Sequence, residues 1–495
     1  MPDRWHAVKG STGSNSASVW LRARAETIVA IGSACLLLPL LIAQQGRDTL
    51  HAIVLAYALF ALGILGTVVW NLIVRSGTTT RATQLRLLPI LFLALTVRLI
   101  AAHSPGFEFD LSVNKGWAQS AAQLGLARSY NEQLGGNVLP NYPPLMITLY
   151  WLAGTLYEFA NSPLFDPLLP DFNVVIRFPA IAADLAACIV VAMVARRAGA
   201  RQRWTLAAWV YALHPVVLYD TGVWGQSDGI YALLMFIALY AAARERWLMA
   251  GMWTACALLT KPQAAAMLPV LLVAGVNRLP RSLLLFGGAL LAGVSILLPF
   301  ILGGSTDAVF AVYARTVGGY YRTISIGAYN FWEIFHRTAR NGDDGLALNL
   351  ITFRSAGLLL FASATMLVLW RLRAALVVPR EERQHLVGVL LAGALTTSAM
   401  FIFATEMHER YQFAYVLLAL PVAAVSGTGA VLYAATSCLI LLNLLGQFPF
   451  GAIDVALFRM VPALPKIIGV LQVVLFFITV HMAPKIAEGR GGRNS

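Results

Sequence analysis

The sequence predicts an all-α polytopic membrane protein, and three observations carry this prediction. Hydrophobic residues make up 59% of the 495 residues and charged residues only 12%, whereas soluble domains have about 45–50% and about 25%. The mean hydropathy is +0.71. Apolar segments near the ~20 residues that cross a hydrocarbon core recur along the chain. These features exclude a soluble enzyme, a disordered chain and a disulfide scaffold.

About fourteen apolar segments are predicted to span the membrane. They are 27–44, 52–74, 85–102, 174–195, 203–219, 229–244, 247–260, 263–276, 283–302, 353–370, 386–404, 411–426, 430–446 and 467–483. Several are shorter than a full span, which predicts helices that are broken or buried among their neighbours. A polar arm, 1–26, precedes the first segment, and a polar tail, 484–495, follows the last one.

The basic residues predict the orientation of the chain. The net charge is +13, and most arginines and lysines cluster between spans at 4–24, 75–81, 196–203, 244–246, 278–281, 371–383 and 485–493. These clusters alternate correctly if both termini are cytoplasmic in the inner (plasma) membrane. The charge therefore serves membrane orientation, and a nucleic-acid partner is not expected.

One further apolar segment, 144–160, does not fit this alternation. If it crossed the membrane, the basic cluster at 196–203 would be external and every later span would be inverted. We therefore expect a helix that lies along the outer leaflet or dips into it. The alternative is a true span with an exception to the charge rule.

Two connections on the external side are long and rich in aromatic residues. They cover 103–173 and 303–352. Connections of this length are usually functional or disordered. Their aromatic content argues against disorder, so functional residues are expected here. Residues 112–126 are predicted to form a helix within the first loop.

Two acidic residues in the first external loop are candidates for a general base. Glu108 and Asp110 lie in the segment Phe-Glu-Phe-Asp, which is followed by Asn-Tyr-Pro-Pro at 141–144. A carboxylate near the membrane surface can take a proton from a hydroxyl nucleophile within hydrogen-bond reach. Alternatively, both acids are solvated or cap the following helix.

A second polar motif, Trp-Gly-Gln-Ser-Asp-Gly, occupies 224–229. Gln226 and Asp228 are candidates for binding sugar hydroxyls. The competing interpretation for Asp228 is a role at the start of the next helix, where acidic residues are favoured.

Lys261 is one of only five lysines and the only one inside an apolar stretch. Its flanking apolar segments are short, which places it at the outer boundary of the membrane. An ammonium group there suits a phosphate at the level of the lipid head groups. The alternative is a lysine that extends its charge to the interface without further function.

The segment Glu-Met-His-Glu-Arg-Tyr at 406–411 places four polar groups between two apolar spans. His408 and Arg410 are candidates for binding phosphate oxygens. A zinc site is not expected, because the eight histidines include no HExxH motif and further ligands at suitable spacing are missing. The four cysteines lie singly in apolar segments and indicate no disulfide framework.

Together these motifs resemble the GT-C fold glycosyltransferases. The acidic first external loop ending in Tyr-Pro-Pro, GQxD, LTKPQ, AYNxW at 328–332 and HERY follow one another in the same order. The resemblance covers about 85–425 and is strongest to bacterial mannosyltransferase-like proteins related to the second mannosyltransferase of GPI-anchor assembly. It implies a GT-C-like bundle of about fourteen helices, preceded by two extra helices at 27–84 and followed by helices at 426–483.

The resemblance also implies a reaction. It implies that a hexose, with mannose favoured, is transferred with inversion from a polyprenyl-phosphate donor to a lipid, glycan or protein acceptor on the external face. The role of general base maps onto Asp110, with Glu108 as the competitor, and Lys261, Arg410 and His408 would meet the donor phosphate. No cofactor is required, and a divalent metal is not obligatory because the leaving group is already good. The expected sugar or acceptor contacts are Tyr142, Gln226, Asp228, Gln263, Tyr329, Asn330, Trp332 and Glu409.

Two alternatives remain open at this point. A glycan polymerase or ligase would share the donor side and differ in the acceptor. A flippase or transporter of lipid-linked saccharides would be expected to have internal repeats and polar groups near the midplane. The sequence contains no clear repeat, and its polar motifs cluster on one predicted face.

The predicted orientation is testable by cysteine labelling. In a background without native cysteines, a cysteine at Ser162 is expected to react only from the external side and one at Arg201 only from the cytoplasm. The reason is that one crossing, 174–195, separates the two positions when 144–160 does not cross. Labelling of both from the same side of intact vesicles would contradict the assignment.

Overall fold

The computed structural model describes residues 81–489, with gaps at 137, 162–164, 201–202, 276–278, 336–341, 348, 378–380 and 450. The predicted spans 27–44 and 52–74 lie outside the described residues, as do the N-terminal arm and the end of the C-terminal tail.

The described chain is mostly helical. Its helices are α1 (Arg81–Ala102), α2 (Glu108–Leu124), α3 (Pro144–Asn161), α4 (Pro170–Arg197), α5 (Trp204–Ala212), α6 (Asp228–Ala243), α7 (Trp247–Leu258), α8 (Leu268–Gly275), α9 (Leu279–Leu302), α10 (Thr306–Gly318), α11 (Phe353–Val377), α12 (Glu382–Phe403), α13 (Phe413–Val425), α14 (Gly427–Gln447), α15 (Ala452–Met460) and α16 (Leu464–Glu488). A π-helix, Leu218–Trp224, and a 3₁₀ helix, Pro262–Met267, join neighbouring elements.

Four two-residue strands make two small sheets. Strand β1 (Ser325–Ile326) pairs in parallel with β4 (Met407–His408). Strand β2 (Leu346–Ala347) pairs antiparallel with β3 (Ile351–Thr352). The first sheet therefore joins the second long loop to the segment that precedes α13.

Six helices of the described ranges are long and apolar enough to cross a membrane: α4, α9, α11, α12, α14 and α16. Four shorter apolar helical segments accompany them: α6, α7, Pro262–Gly275 and α13. This set makes the chain a multi-pass membrane protein and agrees with the prediction of short, buried helices. It does not confirm the count of about fourteen spans.

The predicted span 203–219 is a broken helix, which is the kind of interruption expected for the short apolar segments. Helix α5 ends at Ala212, and His214 has extended backbone angles, φ −64° and ψ 122°. Pro215 follows, and a proline disfavours helical angles in the residue before it. The chain then continues through a short helical turn into the π-helix.

Helix α12 forms the centre of the bundle. In its apolar window 94% of the residues are buried, compared with 22% in α9. It packs against α6, α11, α13 and α16. Helix α9 instead contacts α7 along one edge, where Gly251 and Gly288 leave no room for a Cβ beside the facing backbone carbonyls. Small residues allow such close approach between membrane helices.

The first long loop is folded. Helix α2 begins at Glu108, four residues before the predicted start, and packs against α3. Helix α3 corresponds to the segment 144–160 and is not among the six helices suited to cross a membrane. Its Leu145 N–H donates to the carbonyl of Leu259 at 2.8 Å, so α3 begins beside the segment that carries Lys261.

A fully buried ion pair joins α1 to α4. Arg98 Nε lies 2.8 Å from Asp184 Oδ2, and neither side chain is exposed. Arg98 Nη1 also donates to the carbonyl of Ala212, the last residue of α5, at 2.9 Å, and Tyr211 donates to Asp184 Oδ1 at 3.2 Å. Arg98 therefore also provides a hydrogen-bond donor for a carbonyl at the end of α5, which the break before Pro215 leaves without a helical partner.

This pair yields a stability prediction. We expect Arg98→Met to destabilise the protein by about 3–5 kcal/mol, because it leaves Asp184 as an uncompensated buried charge. Adding Asp184→Asn removes that charge and is expected to restore most of the loss. The measurement is unfolding of the purified protein in detergent.

The matched control is Arg128→Met. Arg128 forms an exposed pair with Glu132, with side chains 62% and 53% exposed, and such pairs contribute about 0–1 kcal/mol. Equal losses in Arg98→Met and the double variant would contradict the role of the buried charge.

Candidate active site

The candidate site is assembled where the helix following α5 is broken. The π-helix ends at Gly225, whose φ of 91° lies in the left-handed region that favours glycine. The N–H groups of Gly225 and Gln226 both donate to the carbonyl of Asp220. This turn directs Trp224 and Gln226 toward the first turn of α2. Short π-helical turns are frequently found at functional sites.

Asp110 lies on that first turn of α2 and is held by the turn at 224–226. Its Oδ2 accepts hydrogen bonds from Gln226 Nε2 at 2.5 Å and from Trp224 Nε1 at 3.1 Å. Arg410 Nη2 lies 3.7 Å from the same oxygen, and the Asp110 side chain is 21% exposed. Glu108 is exposed and two positions away, so it faces another side of the helix.

Arg177 of α4 joins the two segments that hold Asp110. Its Nη1 donates to the carbonyls of Ala102 at 2.5 Å and Ser104 at 3.0 Å, and Nη2 donates to that of Val223 at 3.5 Å. The side chain is 1% exposed. A Cβ on Gly106 would overlap with it. Within the described ranges Arg177 forms no ion pair, so it adds an uncompensated positive charge behind Asp110.

The centre of the cluster is the carboxylate of Asp228, at the start of α6. Its Oδ1 lies 2.6 Å from Lys261 Nζ, and its Oδ2 lies 3.7 Å from Arg410 Nε. Lys261 has extended backbone angles between α7 and the 3₁₀ helix. Burial is the largest influence and disfavours its charge, but the charge and hydrogen bond of Asp228 together with Tyr142 raise the pKa of Lys261. Its ammonium lies 5.4–5.6 Å from the ring centres of Tyr142, Tyr231 and Tyr411.

Glu409 forms the second anionic contact of Arg410. Its Oε1 lies 2.5 Å from Arg410 Nη1. Burial opposes ionisation of Glu409, but the charge of Arg410 and the hydrogen bond with His408 outweigh burial and lower its pKa to about 2. Burial and then the charge of Arg410 lower the pKa of His408. These surroundings favour the uncharged form of His408, and its contact with a donor phosphate stays a prediction.

Three buried polar atoms of the cluster have no hydrogen-bond partner among the described residues. They are Arg410 Nε, Asp228 Oδ2 and His408 Nε2. Unsatisfied buried polar atoms are uncommon in folded proteins and call for an explanation. Two of the three belong to side chains that the sequence predicts to bind phosphate.

Asp220, in the π-helix, lies beneath this cluster. Its side chain is fully buried, and neither carboxyl oxygen has a hydrogen-bond partner within the described ranges. Burial, and then the charge of Asp228, raise its pKa well above the ordinary range. These surroundings favour the protonated form of Asp220, which limits the negative charge beside Asp228.

The predicted sugar-binding residues fall into two groups. Tyr142 and Gln226 belong to the cluster: the Tyr142 ring lies below the Lys261 ammonium, and Gln226 donates a hydrogen bond to Asp110. Asp228 and Glu409 are buried and pair with the cations Lys261 and Arg410, and their contact with sugar stays a prediction. Gln263 follows Lys261 at the start of the 3₁₀ helix, and its Oε1 is buried without a hydrogen-bond partner among the described residues.

The three predicted residues of the AYNxW motif have structural partners instead. The Asn330 amide donates to the carbonyl of Phe401, and Trp332 Nε1 donates to that of Phe403, at 2.9 and 2.8 Å. The phenol of Tyr329 accepts from Gln447 at 3.0 Å. All three are at most 6% exposed. They anchor the second loop to α12 and α14, and their contact with sugar stays a prediction.

An apolar cavity of about 700 Å³ lies between α5, α13 and α14. Its wall includes Leu420 and Ala423, near the end of α13, and Tyr433 of α14. Arg410 instead precedes the start of α13. The cavity therefore lies toward the opposite end of that helix from the charged cluster.

Sequence reasoning missed two buried ionisable residues and one aromatic residue of the site. Arg177 lies inside the predicted span 174–195, and Asp220 directly follows the predicted span 203–219. Ionisable residues at such positions are functional candidates by default, so this signal was available. The contact of Trp224 with Asp110 depends on the π-helix, which no sequence pattern indicated.

The fold and the site define a multi-pass membrane protein with a buried, charged cluster at its helix ends. The family model of glycosyltransferase family 87 matches residues 141–405, which is more than half of the 495-residue chain. The chain therefore belongs to glycosyltransferase family 87, a GT-C-type family, and is a membrane glycosyltransferase. No curated protein matches the sequence. The mannosyltransferase-like branch is not confirmed by this match.

Proposed function

We propose that the protein transfers a mannose-like hexose from a polyprenyl-phosphate donor to an acceptor hydroxyl, with inversion, on the external face of the membrane. Both termini are cytoplasmic in this proposal, and the acceptor is a lipid, glycan or protein. The observation that carries the proposal is the partly exposed carboxylate of Asp110 beside the buried cations Lys261 and Arg410. Membership of a glycosyltransferase family favours transfer over transport of a lipid-linked saccharide.

The reaction is a single displacement. The acceptor oxygen attacks the anomeric carbon, and its proton passes to Asp110. The bond between that carbon and the phosphate oxygen breaks, and the polyprenyl phosphate leaves with the electron pair. Attack opposite to the leaving group inverts the anomeric centre. The hydrogen bonds from Gln226 and Trp224 to Asp110 Oδ2 leave Oδ1 to meet the acceptor hydroxyl.

The phosphate end of the donor is proposed to meet Arg410, Lys261 and His408. The unsatisfied Nε of Arg410 supplies a charged hydrogen-bond donor. His408 Nδ1 faces Glu409 at 3.8 Å, so Nε2 of His408 donates to the phosphate only from the doubly protonated ring. Negative charge grows on the phosphate as the bond breaks, and fixed donors in a buried site stabilise such charge strongly. Asp228 keeps the two cations together. The proposal requires no metal, since the phosphate is already a good leaving group.

Asp110→Asn is the direct test of the general base. We expect transfer to fall by about 10²–10⁴-fold, because the amide keeps the shape of the side chain and cannot take the proton. Donor binding is expected to remain close to that of the unchanged protein. The measurements are the single-turnover transfer rate and the donor Kd of the purified protein.

Glu108→Gln is the matched control for this test. It makes the same chemical change two positions away, on an exposed side chain, and is expected to leave the rate nearly unchanged. The opposite result, an active Asp110→Asn and an inactive Glu108→Gln, would move the role of the base to Glu108.

Lys261→Met tests phosphate binding. We expect donor affinity to fall about ten- to a hundredfold, since a charge-assisted hydrogen bond contributes roughly 1.5–3 kcal/mol. The acceptor KM is expected to change less, because the acceptor lacks the donor phosphate. Lys261→Arg is expected to rescue only partly, since a planar guanidinium does not replace a compact ammonium.

Lys115→Met is the control for loss of a buried lysine. Lys115 of α2 is 8% exposed and donates to the carbonyl of Pro167 at 2.9 Å, outside the cluster. Its loss should leave donor affinity unchanged. If Lys261→Met lowered the thermal stability but left the donor Kd of the folded protein unchanged, Lys261 would have only a structural role.

A further inference from the structure

Two adjacent tyrosines of the second long loop stand exposed beside the candidate active site. Tyr320 is 43% exposed and Tyr321 is 45% exposed. Their ring centres lie 4.7 Å apart in an edge-to-face arrangement. The ring of Tyr321 also lies 5.1 Å from that of His408. We call Tyr320 and Tyr321 the tyrosine platform.

The backbone of the tyrosine platform is held by one carboxylate. Glu406 accepts hydrogen bonds from the N–H groups of Tyr320 at 2.9 Å, Tyr321 at 3.2 Å and Arg322 at 2.9 Å. Its Oε1 also lies 3.0 Å from Arg354 Nη2. Glu406 has a φ of 61°, a left-handed conformation that is costly for a residue with a Cβ. Glu406, which has a strained backbone and hydrogen bonds to both carboxylate oxygens, thus fixes the backbone that carries these two aromatic side chains.

The tyrosine platform continues inward to the charged cluster. Strand β1, four residues after Tyr321, pairs with β4 and so brings the loop beside His408. The ring of His408 lies 5.0 Å from that of Tyr411, over which Lys261 Nζ lies at 5.4 Å. A row of rings therefore leads from the exposed platform to the cations.

Tyr321 also lies within electrostatic reach of the proposed base. Burial of its phenol, and then the neighbouring phenol of Tyr142, raise the pKa of Tyr321. The charges of Arg410 and Asp110 also act on this phenol, in opposite directions. The tyrosine platform thus lies within electrostatic reach of both Arg410 and the proposed base Asp110.

We propose that the tyrosine platform binds a sugar ring of a glycan acceptor by stacking and presents its hydroxyl to Asp110. This inference rests on the proposed function, and it narrows the acceptor class to carbohydrate. The face of an aromatic ring is electron-rich, and the C–H groups on one face of a hexose are weakly positive. The ring and the sugar therefore attract each other while the sugar hydroxyls stay free to react.

An ordinary interfacial position does not account for these contacts. Tyrosines are enriched where a membrane meets water, and there they anchor the protein in the lipid. Such an anchor needs neither a backbone fixed by three hydrogen bonds to Glu406 nor a ring packed against a histidine of the site. Trp370 of α11, 55% exposed, is an exposed aromatic residue outside the cluster.

The test is direct binding of a soluble glycoside, read by saturation-transfer NMR on the full chain in detergent. The probes are methyl α-mannoside and a mannose disaccharide. The unchanged protein is expected to give the strongest transfer at the C–H protons of one sugar face. Tyr321→Ala should weaken binding roughly two- to tenfold, whereas Tyr321→Phe, which keeps the ring, should stay within about twofold.

Two variants make the outcome specific. Trp370→Ala removes an exposed aromatic ring elsewhere and should leave glycoside binding unchanged. Glu406→Gln keeps both tyrosines but replaces one acceptor oxygen with an amide donor, and should weaken binding by loosening the loop. Equal binding by the unchanged protein and Tyr321→Ala, with both folded as judged by Tm, would overturn the proposal.

The same experiment separates this proposal from the proposed function. Asp110→Asn should bind the glycoside as the unchanged protein does, because Asp110 is required for the reaction and not for stacking. If Asp110→Asn transferred sugar normally while Tyr321→Ala lost glycoside binding, the assignment of the base would fail and the tyrosine platform would stand. If donor binding rather than glycoside binding fell in Tyr321→Ala, the platform would belong to the donor, and the proposal would be wrong.

Discussion

The buried carboxylate of Asp228, shared by Lys261 and Arg410, is the interaction on which the candidate site depends. Removing three charges from water is costly, and only close, complementary contacts offset that cost. The three residues lie at the start of α6, after α7 and before α13. These helix ends must therefore meet at one place.

The same interaction limits how strongly the site attracts an anion. Asp228 and Glu409 together balance the charges of Lys261 and Arg410, so a phosphate cannot rely on two free cations. Two features shift the balance toward binding: the surroundings of Asp220 favour its uncharged form, and the buried Arg177 has no carboxylate partner within the described ranges. The long contact of 3.7 Å between Arg410 Nε and Asp228 also leaves the guanidinium able to turn its unsatisfied donor toward a ligand.

The order of polar motifs along the sequence was enough to select most of the site. Asp110, Lys261 and Arg410 are separated by about 150 positions each, yet the structure brings all three within reach of Asp228 or of one another. The sequence could not predict which polar groups pair among themselves. The sequence is equally consistent with Asp228 at a helix start and with Asp228 as a sugar ligand. Whether its side chain is buried depends on the packing of the folded chain. For the same reason the sequence could not predict that Tyr329, Asn330 and Trp332 are buried whereas Tyr321 is exposed.

A gradient of burial across the site matches the chemistry of its proposed substrates. Lys261 is 2% exposed, Asp110 21% and Tyr321 45%. The cations are therefore the least exposed of these groups, and the tyrosines are the most exposed. Charge stabilisation is strongest where water is excluded, which suits the end where a lipid phosphate leaves. A polar acceptor must arrive through water, which suits the exposed end. Asp110 stands between the two environments, where a proton can leave the acceptor while the opposite bond breaks.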